Sequence, residues 1–399
     1  MELWRETTLG EVCDEVNGIV QTGPFGSQLH QSDYSEEGIP VVMPKDIIEG
    51  RIASDTVARV SSKHVERLSR HKLSGGDIVY GRRGDIGRQA LIRPEQNGWL
   101  CGTGCLRLSF GDKVLNPHFL HYYLRQDDVV SWISNQAVGA TMPNLNTGIL
   151  RSVPVRFPSL AIQQRIAGIL SAYDELIENS QRRIKILETM ARGLYREWFV
   201  HFRFPGHENH PRVASALGEI PQGWVVKKLS EIAILNYGKA LKKEDRCDGD
   251  FPVFGSSGVV GTHNLALVKG PGIIVGRKGN VGSVFWCDDD FFVIDTAYFV
   301  TSSLPLRYLF YVLPTLNFIN SDAAVPGLSR NQAYSLDVLV PPQELLVQFC
   351  ELANTFECQA LTLNRQIQNL RRTRDLLLPR LLSGQIDVTK LDDHGETLS

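Results

Sequence analysis

The chain has 399 residues, 43% of them apolar, and 42 Lys and Arg against 44 Asp and Glu give a formal charge of -2. That length supports two or three domains or one large one, and it excludes a disordered tail or a disulfide mini-protein. The near-neutral balance excludes a globally positive field, so any affinity for nucleic acid must come from local features.

The seven cysteines (Cys13, Cys101, Cys105, Cys247, Cys287, Cys350, Cys358) are odd in number and form no C-x-x-C pair. With no signal-peptide pattern at Met1-Glu2-Leu3-Trp4-Arg5, they predict reduced cytosolic thiols and a cytoplasmic protein. Cys101-Gly-Thr-Gly-Cys105 resembles half of a metal site, but no second half follows, so small buried hydrophobes are expected and no metal. The longest apolar runs, such as Gly272-Ile273-Ile274-Val275-Gly276, are far below membrane-spanning length.

In chain order, the first motif is Trp4-Arg5-Glu6-Thr7-Thr8-Leu9-Gly10-Glu11-Val12. Short strands are predicted at Gly38-Ile39-Pro40-Val41-Val42 and Asp77-Ile78-Val79-Tyr80, where apolar and aromatic runs are bounded by turn residues. A glycine loop, Gly81-Arg82-Arg83-Gly84-Asp85-Ile86-Gly87, and a turn, Met142-Pro143-Asn144-Leu145-Asn146, follow. Pro154 and Pro158 fit the start of a helix. From Ile166 the positions Leu170, Tyr173, Ile177, Ser180, Ile184, Leu187, Ala191, Leu194 and Trp198 then recur in steps of four and three.

At that point the chain begins again. The opening motif returns 220 residues on as Trp224-Val225-Val226-Lys227-Lys228-Leu229-Ser230-Glu231-Ile232. The glycine loop returns after 195 residues as Gly276-Arg277-Lys278-Gly279-Asn280-Val281-Gly282, followed by a strand signal at Phe291-Phe292-Val293-Ile294. The turn returns after 183 residues as Val325-Pro326-Gly327-Leu328-Ser329, and the same offset carries the heptads onto Phe349, Ala353, Phe356, Ala360, Leu363, Ile367, Leu370, Arg374, Leu377 and Leu381. The drift in offset means that the second copy has lost about 37 residues from its globular part.

Only Ser180 and Arg374 break the shared apolar seam. The first helix is expected to end before Pro205-Gly206, and the second to meet Pro379 and stop near Ser383-Gly384, where glycine suits a C-cap. A helix of ~38 residues would span ~57 Å, several times the radius of a globular domain, so each must pack on something beyond its own head. The expected fold is α+β. Two mostly β heads are each followed by a long helix, and the helices pack as an antiparallel coiled coil with pseudo-two-fold symmetry. The packing positions are Ile166, Leu170, Ile177, Ile184, Leu187 and Leu194 against Phe349, Phe356, Leu363, Ile367, Leu370 and Leu377.

These residues carry a family resemblance. Trp4…Leu9-Gly10-Glu11-Val12, Gly23-Pro24-Phe25-Gly26-Ser27-Gln28-Leu29, Asp33-Tyr34, Gly38-Ile39-Pro40-Val41, Gly75-Gly76-Asp77-Ile78 and the Gly81–Gly87 loop resemble a target-recognition domain. Pro158-Ser159-Leu160-Ala161-Ile162-Gln163-Gln164-Arg165-Ile166 and Leu377-Leu378-Pro379-Arg380-Leu381-Leu382-Ser383-Gly384-Gln385-Ile386 resemble the helical regions that accompany such domains. In this order, twice over nearly the whole chain, they resemble the specificity subunit of a type I restriction-modification enzyme. The second copy departs where Phe254-Gly255-Ser256-Ser257-Gly258 only loosely answers the first copy's Gly-Phe-Gly-Ser stretch.

The resemblance implies a non-catalytic DNA-recognition subunit without a cofactor. It would place modification (methyltransferase) subunits, two of them, and through them restriction (ATP-dependent motor nuclease) subunits, on a split asymmetric double-stranded site. Target-recognition domains would occupy 1–158 and 205–341, and helical regions 159–204 and 342–399.

Missing motifs point the same way. The chain contains no G-x-x-x-x-G-K-[ST] phosphate loop, its one Pro-Pro, Pro341-Pro342, follows Val340 rather than the Asn or Asp of an amino-methyltransferase element, and the G-x-x-G-x-x-G loops have the wrong spacing for a dinucleotide.

Tight turns fixed by positive-φ glycines are as good a reading of those loops as DNA contact, and the two are compatible. In the DNA-contact reading Arg82, Arg83, Arg88, Arg277 and Lys278 face phosphates or guanine edges. Gln28, His30 and Lys45 in the first head, with Lys239, Lys242 and Lys243 in the second, are further candidates. Thr141 and Asn144, with Arg330 and Asn331, sit at the turn before each helical region; Asn146 and Ser329 are expected to cap it.

On the helices, Gln163, Gln164, Arg165, Asp174, Glu175, Glu178 and Arg182 are expected on a solvated face. Trp198-Phe199, Phe202 and Phe204 are expected to pack on a head. Neither head is basic, with 17 Lys/Arg to 18 Asp/Glu in 1–158 and 12 to 13 in 205–341. Weak DNA affinity is therefore expected of the chain alone. Two alternatives are an unrecognised methyltransferase or nuclease, which would bind S-adenosylmethionine or cut DNA, and a coiled-coil adaptor without sequence preference. Diversified loops on the repeated heads argue against the adaptor.

Overall fold

In the computed structural model, which describes residues 4–137, 144–319 and 327–390, the glutamate shared by the two opening motifs closes the same turn in each copy. Glu11 Oε2 accepts the Thr8 amide at 3.1 Å and Thr8 Oγ1 accepts the Glu11 amide at 3.2 Å, a reciprocal cap on helix Leu9–Glu15. Glu231 Oε1 accepts the Lys228 amide at 2.7 Å at the start of helix Leu229–Ile232. A side-chain cap of this kind contributes about 1 kcal/mol. The leucine behind each cap, Leu9 or Leu229, is fully buried, so the motif fixes both a helix start and a core anchor.

The chain folds as two units, Met1–Asn179 with Gln366–Ser399 and Ser180–Arg365. In the first, Arg5–Thr8 pairs antiparallel with Pro154–Phe157 and ties the head's start to its end. An antiparallel sheet runs in the order Ile19–Thr22, Cys105–Ser109, Ile78–Gly81, Gln89–Leu91. Ile78, Val79 and Tyr80 are all buried, which is why that strand reads as a continuous apolar run rather than an alternation. A second sheet orders Leu100–Cys101, Ile39–Val42, Arg59–Val60 and Tyr34–Ser35, with a parallel pair between the first two.

The second unit repeats this plan. Val225–Lys228 pairs with Asp337–Val340, and a sheet of Ala233–Tyr237, Ala297–Ser302, Gly272–Gly276 and Val284–Cys287 matches the first antiparallel sheet strand for strand. Phe251–Gly255 lies parallel to Phe292–Val293, as Ile39–Val42 does to Leu100–Cys101.

The long helices are Leu160–Tyr195, which continues into a π-helical turn at Arg196–Val200, and Gln343–Leu382. Each unit contains one half of both. In the first unit, early residues of one helix meet late residues of the other. Asp174 pairs with Arg374 at 2.5 Å, and Ile166 and Leu170 share a core with Leu377 and Leu381. In the second, the Phe349 ring lies 6.2 Å from Tyr195 and 4.9 Å from Phe199. Within each unit the helix halves therefore run antiparallel. Ile166, Leu170, Ile177, Phe349, Leu363 and Ile367 are buried; Ile184, Leu187, Leu194, Phe356, Leu370 and Leu377 are half-buried.

Several expectations need correcting. Pro154 begins a strand instead of a helix, and only Pro158, two residues before Leu160, introduces the first long helix. Gln163 is fully buried: its Oε1 accepts the Asn116 amide at 2.8 Å and its Nε2 donates to the Val114 and Pro158 carbonyls, so it caps backbone that the head leaves open. Asp174 and Glu178 are also drawn inward, Glu178 by Arg51 and Arg93, each at 2.6 Å. Trp198, Phe199 and Phe204 need no such correction: expected to pack on a head, they are buried in the second unit, where Phe199 packs edge-on to Tyr308 at 5.1 Å.

Candidate nucleic-acid interface

The two glycine loops leave the ends of equivalent strands, Ile78–Gly81 and Gly272–Gly276. Gly84 and Gly87 have φ of +82° and +102°, and Gly279 and Gly282 have +80° and +75°, a conformation that requires glycine. The turn before each helical region docks onto its loop by the same bond. The Leu145 amide donates to the Arg82 carbonyl at 2.8 Å, and the Leu328 amide to the Arg277 carbonyl at 2.7 Å. Asn146 Oδ1 and Ser329 Oγ then cap the short helices that follow.

On this common frame the side chains diverge. In the first head Arg82 folds inward, its Nε donating to Asn144 Oδ1 at 3.1 Å and to the Leu145 carbonyl at 3.2 Å. In the second head the equivalent carbonyl, that of Leu328, accepts the Tyr298 hydroxyl at 3.2 Å instead. Strand register places Leu106 at the position of Tyr298 in the first head, so no hydroxyl is available there and the arginine supplies the donor.

Relieved of that bond, Arg277 lies over the Tyr237 ring at 4.9 Å from its centroid, with Nη1 donating to the Asp295 carbonyl at 3.0 Å. Arg330 lies against the same ring, also at 4.9 Å, and against Tyr334 at 5.9 Å. Burial and a hydrogen bond with Tyr237 push the Tyr298 hydroxyl up to about 12, so it remains a donor well above neutral pH.

The other candidates are scattered. Arg83 and Lys278 are exposed at the tips of the two loops, and Lys239, Lys242, Lys243 and Asn331 are exposed in the second head. Arg88 pairs with Asp85 at 3.0 Å, and exposed Lys45 lies on the wall of a cleft of about 560 Å³ shared with Arg88 and Arg125. The Gln28 side chain closes its own loop by accepting the Phe25 amide at 3.1 Å, and His30 is exposed. Asn144 is occupied by Arg82. Thr141 lies outside the described residues.

Sequence reasoning missed Tyr237, whose equivalent by strand register is Thr22, and it missed a bond between head and helix that recurs in both units. Tyr122 donates to Asp174 at 2.8 Å and Tyr311 to Glu357 at 2.6 Å. The signal was present in Leu120-His121-Tyr122 against Leu309-Phe310-Tyr311, and in an acidic residue at 174 and again 183 positions later.

Cys101 and Cys105 are fully buried small residues. Burial pushes the Cys101 thiol up to about 12 and Cys105 well above its usual range, so both are unreactive. Among the described residues no group of three or more His, Cys, Asp or Glu is placed to hold a metal ion. No helix there is long and apolar enough to cross a membrane.

The profile of the type I restriction modification DNA specificity domain matches residues 1–189 and 221–344. The chain is 24% identical over 424 residues to the type I restriction enzyme MjaIX specificity subunit of Methanocaldococcus jannaschii, an alignment covering 97% of each chain. It is 20% identical over 478 residues to the HindI specificity subunit of Haemophilus influenzae, covering 97% of this chain and all of that one. The crystal structure of a type I restriction-modification S subunit from M. genitalium shares the fold, with a TM-score of 0.60 at 18% identity over 95% of this chain and 96% of that one.

Proposed function

The chain belongs to the type I restriction modification DNA specificity family, whose members are non-catalytic, and from that premise we propose that its two heads read the two halves of a split, asymmetric double-stranded DNA site. Residues 1–158 read one half and 205–341 the other. The helical regions 159–204 and 342–399 seat two modification subunits, which carry the methyl transfer, and through them the restriction subunits engage in the cytoplasm.

The observation that carries this reading is one frame with two faces. The Leu145–Arg82 and Leu328–Arg277 backbone bonds are the same, yet Arg82 is turned in and Arg277 is turned out onto Tyr237. A rigid scaffold with altered loop side chains is what two readers of different sequences require.

The test is methylome sequencing of cells expressing the chain with its modification subunit. A bipartite motif is expected, and replacing 205–341 by the second head of another specificity subunit should change one half-site and leave the other. Methylation without a motif, or a change in both halves, would overturn the proposal.

A further inference from the structure

Resting on that reading, we infer that the second head holds a guanidinium clamp, Arg330 held like Arg277 against the Tyr237 ring, that grips a paired oxygen or nitrogen acceptor on its DNA half-site. The fork of one guanidinium matches the paired acceptors offered by the O6 and N7 atoms of guanine and by two phosphate oxygens. The first head has no such clamp: Thr22 stands where Tyr237 does, Thr147 where Arg330 does, and Arg82 is tied into its own turn.

Three observations converge on the clamp. The first is donor supply. Among the described residues no carboxylate or carbonyl accepts from the Arg330 guanidinium, which lies against the two tyrosine rings, so its N–H groups find no acceptor among those residues.

The second is rigidity. The residues before Arg330 are pinned through both polar backbone atoms of Leu328, the amide by the Arg277 carbonyl and the carbonyl by the Tyr298 hydroxyl, and Ser329 caps the following turn. Stacking on Tyr237 removes much of the side chain's remaining freedom before DNA arrives, so less is lost on binding. The third is placement. Tyr237 is about half exposed, and the clamp belongs to the segment docked on the glycine loop whose tip carries exposed Lys278.

The experiment uses the chain assembled with its modification subunits, and measures methylated motifs, DNA affinity at several salt concentrations and melting temperature. Arg330→Ala is expected to weaken binding by roughly tenfold or more at unchanged melting temperature. Tyr237→Leu should follow it, and Tyr237→Phe, which keeps the ring face, should restore most of the affinity. Relaxed preference at one base pair of the second half-site identifies guanine as the ligand. A uniform loss over all sequences, with the slope of log affinity against log salt reduced by about one, identifies phosphate. Unchanged affinity and motif, or a fall in melting temperature alone, would overturn the clamp. If the unmodified complex shows no bipartite motif, it is the two-reader proposal that fails.

Discussion

Arg82 and Arg277 show how little of a residue's task is set by its neighbours in sequence. Both follow glycine at the end of a buried strand, and the two loops read alike. The difference lies in Leu106 and Tyr298, which only strand register brings to the site. Where the hydroxyl is missing, the arginine satisfies the buried carbonyl; where it is present, the arginine is released. Arg82→Ala should therefore act mainly on stability, costing about 1–2 kcal/mol in denaturant unfolding by leaving the Leu145 carbonyl and Asn144 unsatisfied. Exposed Arg83→Ala should lower DNA affinity without a stability change. The reverse pattern would show that Arg82 leaves its turn to reach DNA.

His121 is another residue whose environment was hidden in the sequence. It is buried, its Nδ1 lies 3.0 Å from Gln89 Oε1, and its Nε2 faces Arg125. Burial, reinforced by Arg125, holds it well below the usual 6.5, and burial lowers His71 and His118 as well. A histidine kept neutral in the fold but free to protonate when unfolded stabilises above about pH 6.5, and that stability is lost as pH falls towards the folded value. The melting temperature should thus drop between pH 7.5 and 5.5, and less so in His121→Asn. An identical drop in both proteins would acquit His121.

At the scale of elements, the heptads were legible because apolar spacing records which face of a helix is buried, even across two copies. The polar contacts on those helices were not, since their partners are supplied by distant segments. Asp174 looks like a surface acid in a run of charged residues, yet it meets Tyr122 from the head, Arg374 from the other long helix and Arg125 at 3.7 Å. Arg374, which looks like a defect in the seam, is its partner. Burial raises the Tyr122 hydroxyl and lowers Arg125.

Breaking such a partly buried group from one side is costlier than its formation is favourable, because the remaining charges stay desolvated. Asp174→Ala should accordingly destabilise the chain by roughly 3 kcal/mol, while Asp174→Leu combined with Arg374→Leu should recover a good part of that loss. Equilibrium unfolding of the two variants measures it. Equal destabilisation of single and double variants would show that the seam tolerates no apolar repair at these positions.

For the whole molecule, the repeat was legible because two copies of one frame preserve the residues that cap and anchor it. The two units were not, because each long helix is divided between them at residues 179–180 and 365–366, where the heptad spacing continues on both sides, with only Ser180 departing from it. Charge is the property that belongs to the molecule as a whole. With -2 overall and neither head basic, few phosphates can be neutralised by this chain, and the clamp and loop tips supply only a handful of cations. Each neutralised phosphate contributes about -0.9 to the slope of log affinity against log salt. The isolated chain should therefore bind its site weakly and with a shallow slope, and assembly with modification subunits should steepen the slope and tighten binding while leaving the recognised sequence unchanged. Salt titrations of both species on one duplex test this division of work. A chain alone that binds as tightly and as steeply as the complex would place the electrostatic grip here, against the charge it carries.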